Sequence, residues 1–272
     1  MKARASFRQF SLSGRRALVT GSSQGIGLEL ARGLAAAGAA VIINGRNRAK
    51  VAAAVRRLRS EGHAAEGSVF DVAKAGEVAK AVPRLLRGGR KIDILINNAG
   101  IQIRAPLLEM SPANWRKVID TNLTGAFLVA RAVAPGMIRR RSGKIVNICS
   151  LGTDLARATT GPYTAAKGGL RMLTRMMCAE WAAENLQING ISPGYILTDM
   201  TAVLARDAKF DAWVRSHTPA ARWGRPEDLV GSCVFLCSAA ADFVNGHLLF
   251  VDGGFSVISG HHDPAAFLRP PP

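Results

Sequence analysis

Seven short runs rich in β-branched residues recur between Ala/Leu-rich stretches, and this rhythm restricts the fold more than any other feature. The runs are ALVT (17–20), AVIIN (40–44), GSVF (67–70), DILIN (93–97), KIVNI (144–148), QINGI (187–191) and HLLFV (247–251). They are nearly all apolar rather than alternating, as strands covered on both faces must be. The stretches between them carry helical stripes. Around GLELARGLAAAG, Ile26, Leu30 and Leu34 share one face and Gly38 marks the stop. Repeated strand–helix–strand order implies a parallel sheet with right-handed crossovers, hence a doubly wound α/β fold. One domain is expected over residues 10–258, with an N-terminal extension at 1–9 and a loosely packed tail at 259–272.

Composition narrows the function classes. Hydrophobic residues make up 48% of the 272, enough for a substantial core. No apolar run is long enough to span a bilayer, and the basic N-terminus has no apolar segment behind it, so a cytoplasmic protein is expected. The four cysteines form no CxxC pair. Cys233 and Cys237 fall on one face of a helix and read as buried small hydrophobes. No zinc spacing appears among the histidines, so no metal is expected. The formal net charge of +17 invites a nucleic-acid partner, but the arginines are spread along the chain. The densest runs, RRLRSEG and IRRRSGK, fall at helix ends, where cations favour the carbonyl-rich terminus. No specific nucleic-acid partner is expected; attraction of small anions is.

Gly21, Gly25 and Gly27 follow the first strand directly and open the first helix. Glycine suits a sharp turn that a phosphate must approach closely. The helix N-terminus then offers free N–H groups and partial positive charge. A second motif is GPYTAAKGGL at 161–170. Tyr163 is one of two tyrosines in the chain and precedes Lys167 by four residues, so both share one helical face.

The Gly-x3-Gly-x-Gly spacing, together with NNAG (97–100) and YTAAK (163–167), resembles the short-chain dehydrogenase/reductase family. TNLTG (121–125), KIVNICS (144–150), ISPGYILTDM (191–200) and NGHLLFVDGG (245–254) extend the resemblance over residues 10–255. It implies a Rossmann-like single domain with a seven-stranded parallel sheet, assembled as a homo-oligomer, a tetramer or dimer. It also implies a nicotinamide dinucleotide held by Gly21, Ser23, Gln24, Gly25, Ile26 and Gly27. Asp71 and Val72 would wall the adenine. Asn98, Ala99 and Gly100 would line the nicotinamide ribose. Pro193, Gly194, Ile196 and Thr198 would reach the carboxamide. Gly45 stands where the family's NAD users carry an aspartate, and Arg46 follows. A guanidinium pairs with a 2′-phosphate that a carboxylate would repel. NADP(H) is therefore the expected cofactor, with NAD(H) possible.

The family also implies the chemistry. Hydride transfer to a carbonyl needs a proton delivered to the developing alkoxide. A free phenol holds its proton up to a pKa of about 10, and a nearby cation favours the phenolate. Tyr163 is thus the expected general acid/base, with Lys167 its tuner and ribose anchor. Ser150, thirteen residues before Tyr163, would hold the substrate oxygen. Asn122 would prop a water that relays protons from the lysine. The departures, ICS for the commoner ISS and Ala166 where serine is frequent, remove no reactive group.

The stretch after Pro193 is similar to the gluconate 5-dehydrogenase branch, which interconverts D-gluconate and 5-keto-D-gluconate. A sugar acid needs a cation, and Arg104 or Arg157 could hold its carboxylate, Arg104 being favoured. Asp154 is a candidate to order a substrate hydroxyl or a cation. A 3-oxoacyl-[acyl-carrier-protein] reductase, or another carbonyl reductase of the family, would share every catalytic residue. A non-enzymatic nucleotide-binding scaffold is the remaining alternative, and an intact Ser-Tyr-Lys set argues against it.

Overall fold

A computed structural model of the chain describes residues 3–258. The expected tail at 259–272 lies outside the described residues, and Ala3–Phe10, which runs from the expected extension into the first residue of the expected domain, forms a 3-10 helix whose Phe10 ring meets Phe235. The strands are β1 (Arg16–Val19), β2 (Ala40–Gly45), β3 (Ala65–Val69), β4 (Ile94–Asn97), β5 (Gly143–Ile148), β6 (Leu186–Pro193) and β7 (Leu248–Val251). All pair in parallel, in the order β3-β2-β1-β4-β5-β6-β7. The helices are α1 (Gly25–Ala36), α2 (Arg48–Ser60), α3 (Ala75–Leu85), α4 (Pro112–Ile119), α5 (Gly125–Arg140), α6 (Gly161–Trp181), α7 (Ala202–Arg206), α8 (Ala208–His217) and α9 (Val230–Cys237).

Successive strand residues point to opposite faces, and both faces are apolar here. Ala17, Val19, Val41, Ile43, Ile94, Ile96 and Val146 join one buried cluster, with Leu30 and Leu34 of α1, Leu58 of α2 and Leu236 of α9. Leu18, Ile42, Leu95 and Ile145 join the other, with Val82 of α3, Val129 and Met137 of α5 and Met177 of α6. The edges depart from this pattern. In β3 burial alternates, and in β7 every residue is half-buried. The third strand also begins two residues earlier than its apolar run suggests, because Ala65, Gly67 and Val69 pair in register with Val41, Ile43 and Gly45. Among the described residues no helix is long and apolar enough to cross a membrane.

The chain steps outward from β1 through β2 to β3, then returns to the other side of β1 with β4. At such a reversal the flanking loops diverge, opening a crevice at the carboxyl ends of the strands. A buried polar chain sets α6 against that edge. Asn97 Nδ2 donates to Asn147 Oδ1 at 2.8 Å, Asn147 Nδ2 donates to Thr174 Oγ1 at 2.8 Å, and Thr174 Oγ1 donates to Leu170 O at 2.8 Å. The chain joins β4 and β5 to the helix that carries Tyr163 and Lys167. Asn147→Ala leaves the buried Asn97 amide N–H group unpaired and removes the donor to Thr174 Oγ1, and should cost about 2 to 3 kcal/mol. Urea unfolding checks this: the midpoint should fall with the slope unchanged, and a stability within about 0.5 kcal/mol of the parent would show the network to be dispensable.

Candidate active site

A cleft of about 640 Å3 opens at the β1/β4 reversal. It runs from the glycine turn past the ends of β2 and β3 at one extreme to Ser150, Tyr163 and Lys167 at the other. The glycine turn follows from β1 running straight into α1. Gly21 has φ 62°, and a Cβ there would lie 2.7 Å from Ala99 Cα. A side chain at Gly27 would strike the Asn98 amide and the Gly21 carbonyl. The backbone at both positions can therefore pack this closely only without side chains. Asn98 staples the turn, its Nδ2 donating to Thr20 O at 2.9 Å and Gly21 O at 3.1 Å. Asn44 does the same from β2. Its Oδ1 accepts from Gly21 N–H at 3.2 Å while its Nδ2 donates to Ser68 O and Phe70 O.

The fit to a dinucleotide phosphate rests on two observations. The α1 N-terminus has no side-chain cap, so its first N–H groups face the cleft without one. A cationic end then lies at β2: Arg46 is exposed, with Asp71 3.9 Å away, and Lys50 Nζ donates to Gln24 Oε1 at 2.8 Å. A Cβ on Gly45 would already sit 3.1 Å from Ser23 Oγ and 3.2 Å from Val51 Cγ2, so this wall is tight. Ser23, Gln24, Gly25, Ile26, Asp71, Val72, Asn98, Ala99, Gly100, Pro193, Gly194, Ile196 and Thr198 all line the same cleft. Gln24 reaches across its mouth, its Nε2 donating to Asp199 Oδ2 at 3.3 Å. The sequence did not single out Asn44, Lys50 or Asp199; Lys50 had a signal, since it lies on the first turn of the helix that follows Arg46.

At the reactive end Ser150 is extended and caps the short turn Leu151–Thr153, its Oγ accepting from Gly152 N–H at 3.1 Å. Ser150 Oγ and Tyr163 Cε1 both flank Gly152: a methyl group built there would lie 3.6 and 3.7 Å from them. Lys167, 4% exposed, lies one turn beyond Tyr163, with Nζ 5.6 Å from the tyrosine ring centroid. Its ammonium donates to Ile148 O at 2.5 Å, which fixes the cation under the cleft floor. Cys149 lines the same floor, and burial pushes its thiol up to about 11 against the opposing pull of Lys167 and Arg171. It is a neutral thiol at physiological pH and no competitor to Ser150.

Four expected site residues, Arg157 among them, stand apart from the cleft lining. Asn122 is buried in a π-helical turn, Asp120–Thr124, between α4 and α5. Its Oδ1 accepts from Ile101 N–H at 2.8 Å and its Nδ2 donates to Ile101 O at 2.9 Å. That leaves one donor and one lone pair of the amide for anything further. Arg104 is exposed at the rim, three residues beyond the lining residue Ile101. Asp154 forms an ion pair with Arg171 of α6, so it is engaged by protein. Among the described residues no group of three metal-ligating side chains occurs.

Beyond Gly194 an aromatic cluster follows, outside the cleft lining. Tyr195 makes edge contacts with Phe210, Trp213, Trp223 and Phe255 at centroid distances of 5.3–5.8 Å. Trp223 Nε1 donates to Asp211 Oδ1 at 2.7 Å, pinning the cluster to α8.

Known proteins share this arrangement. Residues 21–256 match a family model described as Enoyl-(Acyl carrier protein) reductase. The chain is 50% identical over 248 residues to the 5-keto-D-gluconate 5-reductase of Escherichia coli (strain K12), covering 91% of this chain and 98% of that one. It is 52% identical to the gluconate 5-dehydrogenase of Gluconobacter oxydans (strain 621H), covering 91% and 97%. A gluconate 5-dehydrogenase from Burkholderia cenocepacia J2315, solved with NADP and tartrate, superposes with a TM-score of 0.91 at 52% identity, covering 93% and 100%. The glycine turn at the sheet reversal, the Ser150–Tyr163–Lys167 grouping and these likenesses agree: the chain belongs to the short-chain dehydrogenase/reductase family.

Proposed function

We propose that this chain interconverts D-gluconate and 5-keto-D-gluconate with NADP(H). The observation that carries the reading is the convergence of Ser150, Tyr163 and Lys167 at one end of a cleft whose other end is a glycine turn flanked by Arg46 and Lys50. The sugar-acid relatives at 50% identity or more supply the substrate class.

The cofactor would be held by the α1 N-terminus and by Gly21, Ser23, Gln24, Gly25, Ile26 and Gly27. Arg46 and Lys50 would take the 2′-phosphate, and Asp71 and Val72 the adenine. Asn98, Ala99, Gly100, Pro193, Gly194, Ile196, Thr198 and Lys167 would position the nicotinamide half. When bound, it supplies or accepts the hydride. Tyr163 Oη then delivers a proton to the oxygen of the ketone, or removes one from the alcohol. The buried Lys167 ammonium, 5.6 Å from the Tyr163 ring centroid, sets a positive charge beside that exchange, and Ser150 Oγ donates to the reacting oxygen. Asn122 holds the Ile101 backbone beside the nicotinamide end and supports a proton-relaying water there. Arg104 meets the substrate carboxylate.

We also propose a cytoplasmic homo-oligomer, a tetramer or dimer. All four cysteines are free. Phe127, Met172 and Met176 expose large apolar side chains on α5 and α6, and Phe243 and Val257 do so beside the β7 edge. Apolar surface of this kind suits contact with further copies.

Two outcomes test the assignment. In Tyr163→Phe, kcat with 5-keto-D-gluconate should fall at least about 100-fold, while NADPH affinity followed by cofactor fluorescence stays within about twofold of the parent. Retained turnover would defeat the acid/base role. Steady-state kinetics should also show NADPH preferred over NADH. Arg46→Ala should raise KM for NADPH about 10-fold or more with little change for NADH; a parent that prefers NADH would refute the cofactor reading.

A further inference from the structure

Arg157 lies between the Ser150 turn and α6 and is half-buried. Its guanidinium carbon sits 4.2 Å from the Phe210 ring centroid and 5.9 Å from that of Trp213. Stacking engages the face of the guanidinium plane and leaves its N–H edges free to meet a planar acceptor. Nη1 is buried and has no hydrogen-bond partner among the described residues. No described carboxylate forms an ion pair with Arg157 or with Arg104, whereas the neighbouring Arg171 is neutralised by Asp154.

The segments carrying the two free cations are stitched together. Ala105 N–H donates to Thr159 O at 3.2 Å. Thr159 has φ 70°, a left-handed conformation that a β-branched residue rarely adopts. Such a backbone costs on the order of 1–3 kcal/mol and persists where the surroundings impose it. The strained residue is the one whose carbonyl docks the Arg104 segment, two positions from Arg157. Partial desolvation, and then repulsion from Arg157, lower the proton affinity of Arg104, while Tyr195 and Tyr163 act in the opposite sense. The bond from Ala105 to Thr159 holds the two like charges on adjoining segments, an arrangement that an anion between them stabilises.

We propose that Arg157 is the second arm of a carboxylate clamp with Arg104, and that it selects sugar acids over neutral carbonyl compounds. The inference rests on the sugar-acid reading above and extends it to a residue stacked on the aromatic cluster. A carboxylate has four lone-pair sites and can accept from two guanidiniums at once. The Phe210–Trp213 stack fixes one arm against α8, so the distance from clamp to Tyr163 sets which carbon of the acid is presented for reaction.

The test compares Arg157→Gln, Arg157→Lys, Arg104→Ala and the parent, all checked for matching thermal unfolding. KM and kcat are measured for 5-keto-D-gluconate and NADPH, together with competitive inhibition by tartrate and by the neutral polyol erythritol. Arg157→Gln should raise KM for 5-keto-D-gluconate and Ki for tartrate about 10- to 100-fold. KM for NADPH and Ki for erythritol should stay within about twofold, and Arg157→Lys should recover part of the loss. Unchanged KM and Ki in Arg157→Gln, or equal losses for tartrate and erythritol, would overturn the clamp while leaving the activity reading intact. A parent that reduces acetoacetyl thioester but not 5-keto-D-gluconate would defeat the activity reading itself, and this inference with it.

Discussion

A sheet that is apolar on both faces leaves no room for chemistry within its layers. Val19, Ile43 and Ile96 pack toward one set of helices, and Leu18, Ile42 and Leu95 toward the other. Polar groups placed there would have to satisfy one another, as Asn97, Asn147 and Thr174 do. The reactive groups therefore gather where the strands end, and the β1/β4 reversal decides which end loops part to form the cleft. Tyr163 and Lys167 reach it because α6 packs along β5 and β6 in a register set by that polar chain. Ser150 reaches it because β5 stops two residues earlier and the chain turns.

Much of this was legible in the sequence, because the deciding signals are local. A glycine turn between strand and helix and a Tyr–Lys pair at one helical turn each declare their geometry over a few residues. Residues that act through distant partners were not legible. Asn44 braces the glycine turn from the next strand, with a 23-residue separation that no local pattern reveals. Lys50 carried a local signal, on the first helical turn after Arg46, but its contact with Gln24 belongs to the tertiary structure. Asp154, open to a substrate role by position, proved to be bound to Arg171. The start of β3 was misplaced because an edge strand alternates in burial, so its apolar run is a poor guide to its ends. The role of Asn122 is the subtlest: the residue type was evident, but its π-helical turn and its grip on Ile101 belong to the tertiary structure.

The basic balance of the chain reads differently once the fold is known. Many arginines are neutralised locally: Arg16 by Glu66, Arg32 by Glu29 and Glu61, Arg141 by Glu184 and Arg222 by Asp228. The exposed pairs among them, Arg141–Glu184 and Arg222–Asp228, contribute little each. The cations of interest are those left unpaired near the cleft, where a charge without a partner in the protein is available to a ligand.

The buried chain from Asn97 to Leu170 has a consequence for how the molecule loses activity on heating. It places the catalytic helix and the central strands in one cooperative unit, so α6 cannot open without disturbing β4 and β5. The α7–α8 segment is outside that unit and is tied to the body by the rings around Tyr195, the Trp223–Asp211 bond and the stack on Arg157. Amide exchange should therefore separate the two, with α8 exchanging through small openings and α6 only when the sheet itself comes apart. Substrate discrimination and proton transfer would then fail at different temperatures, the first before the second.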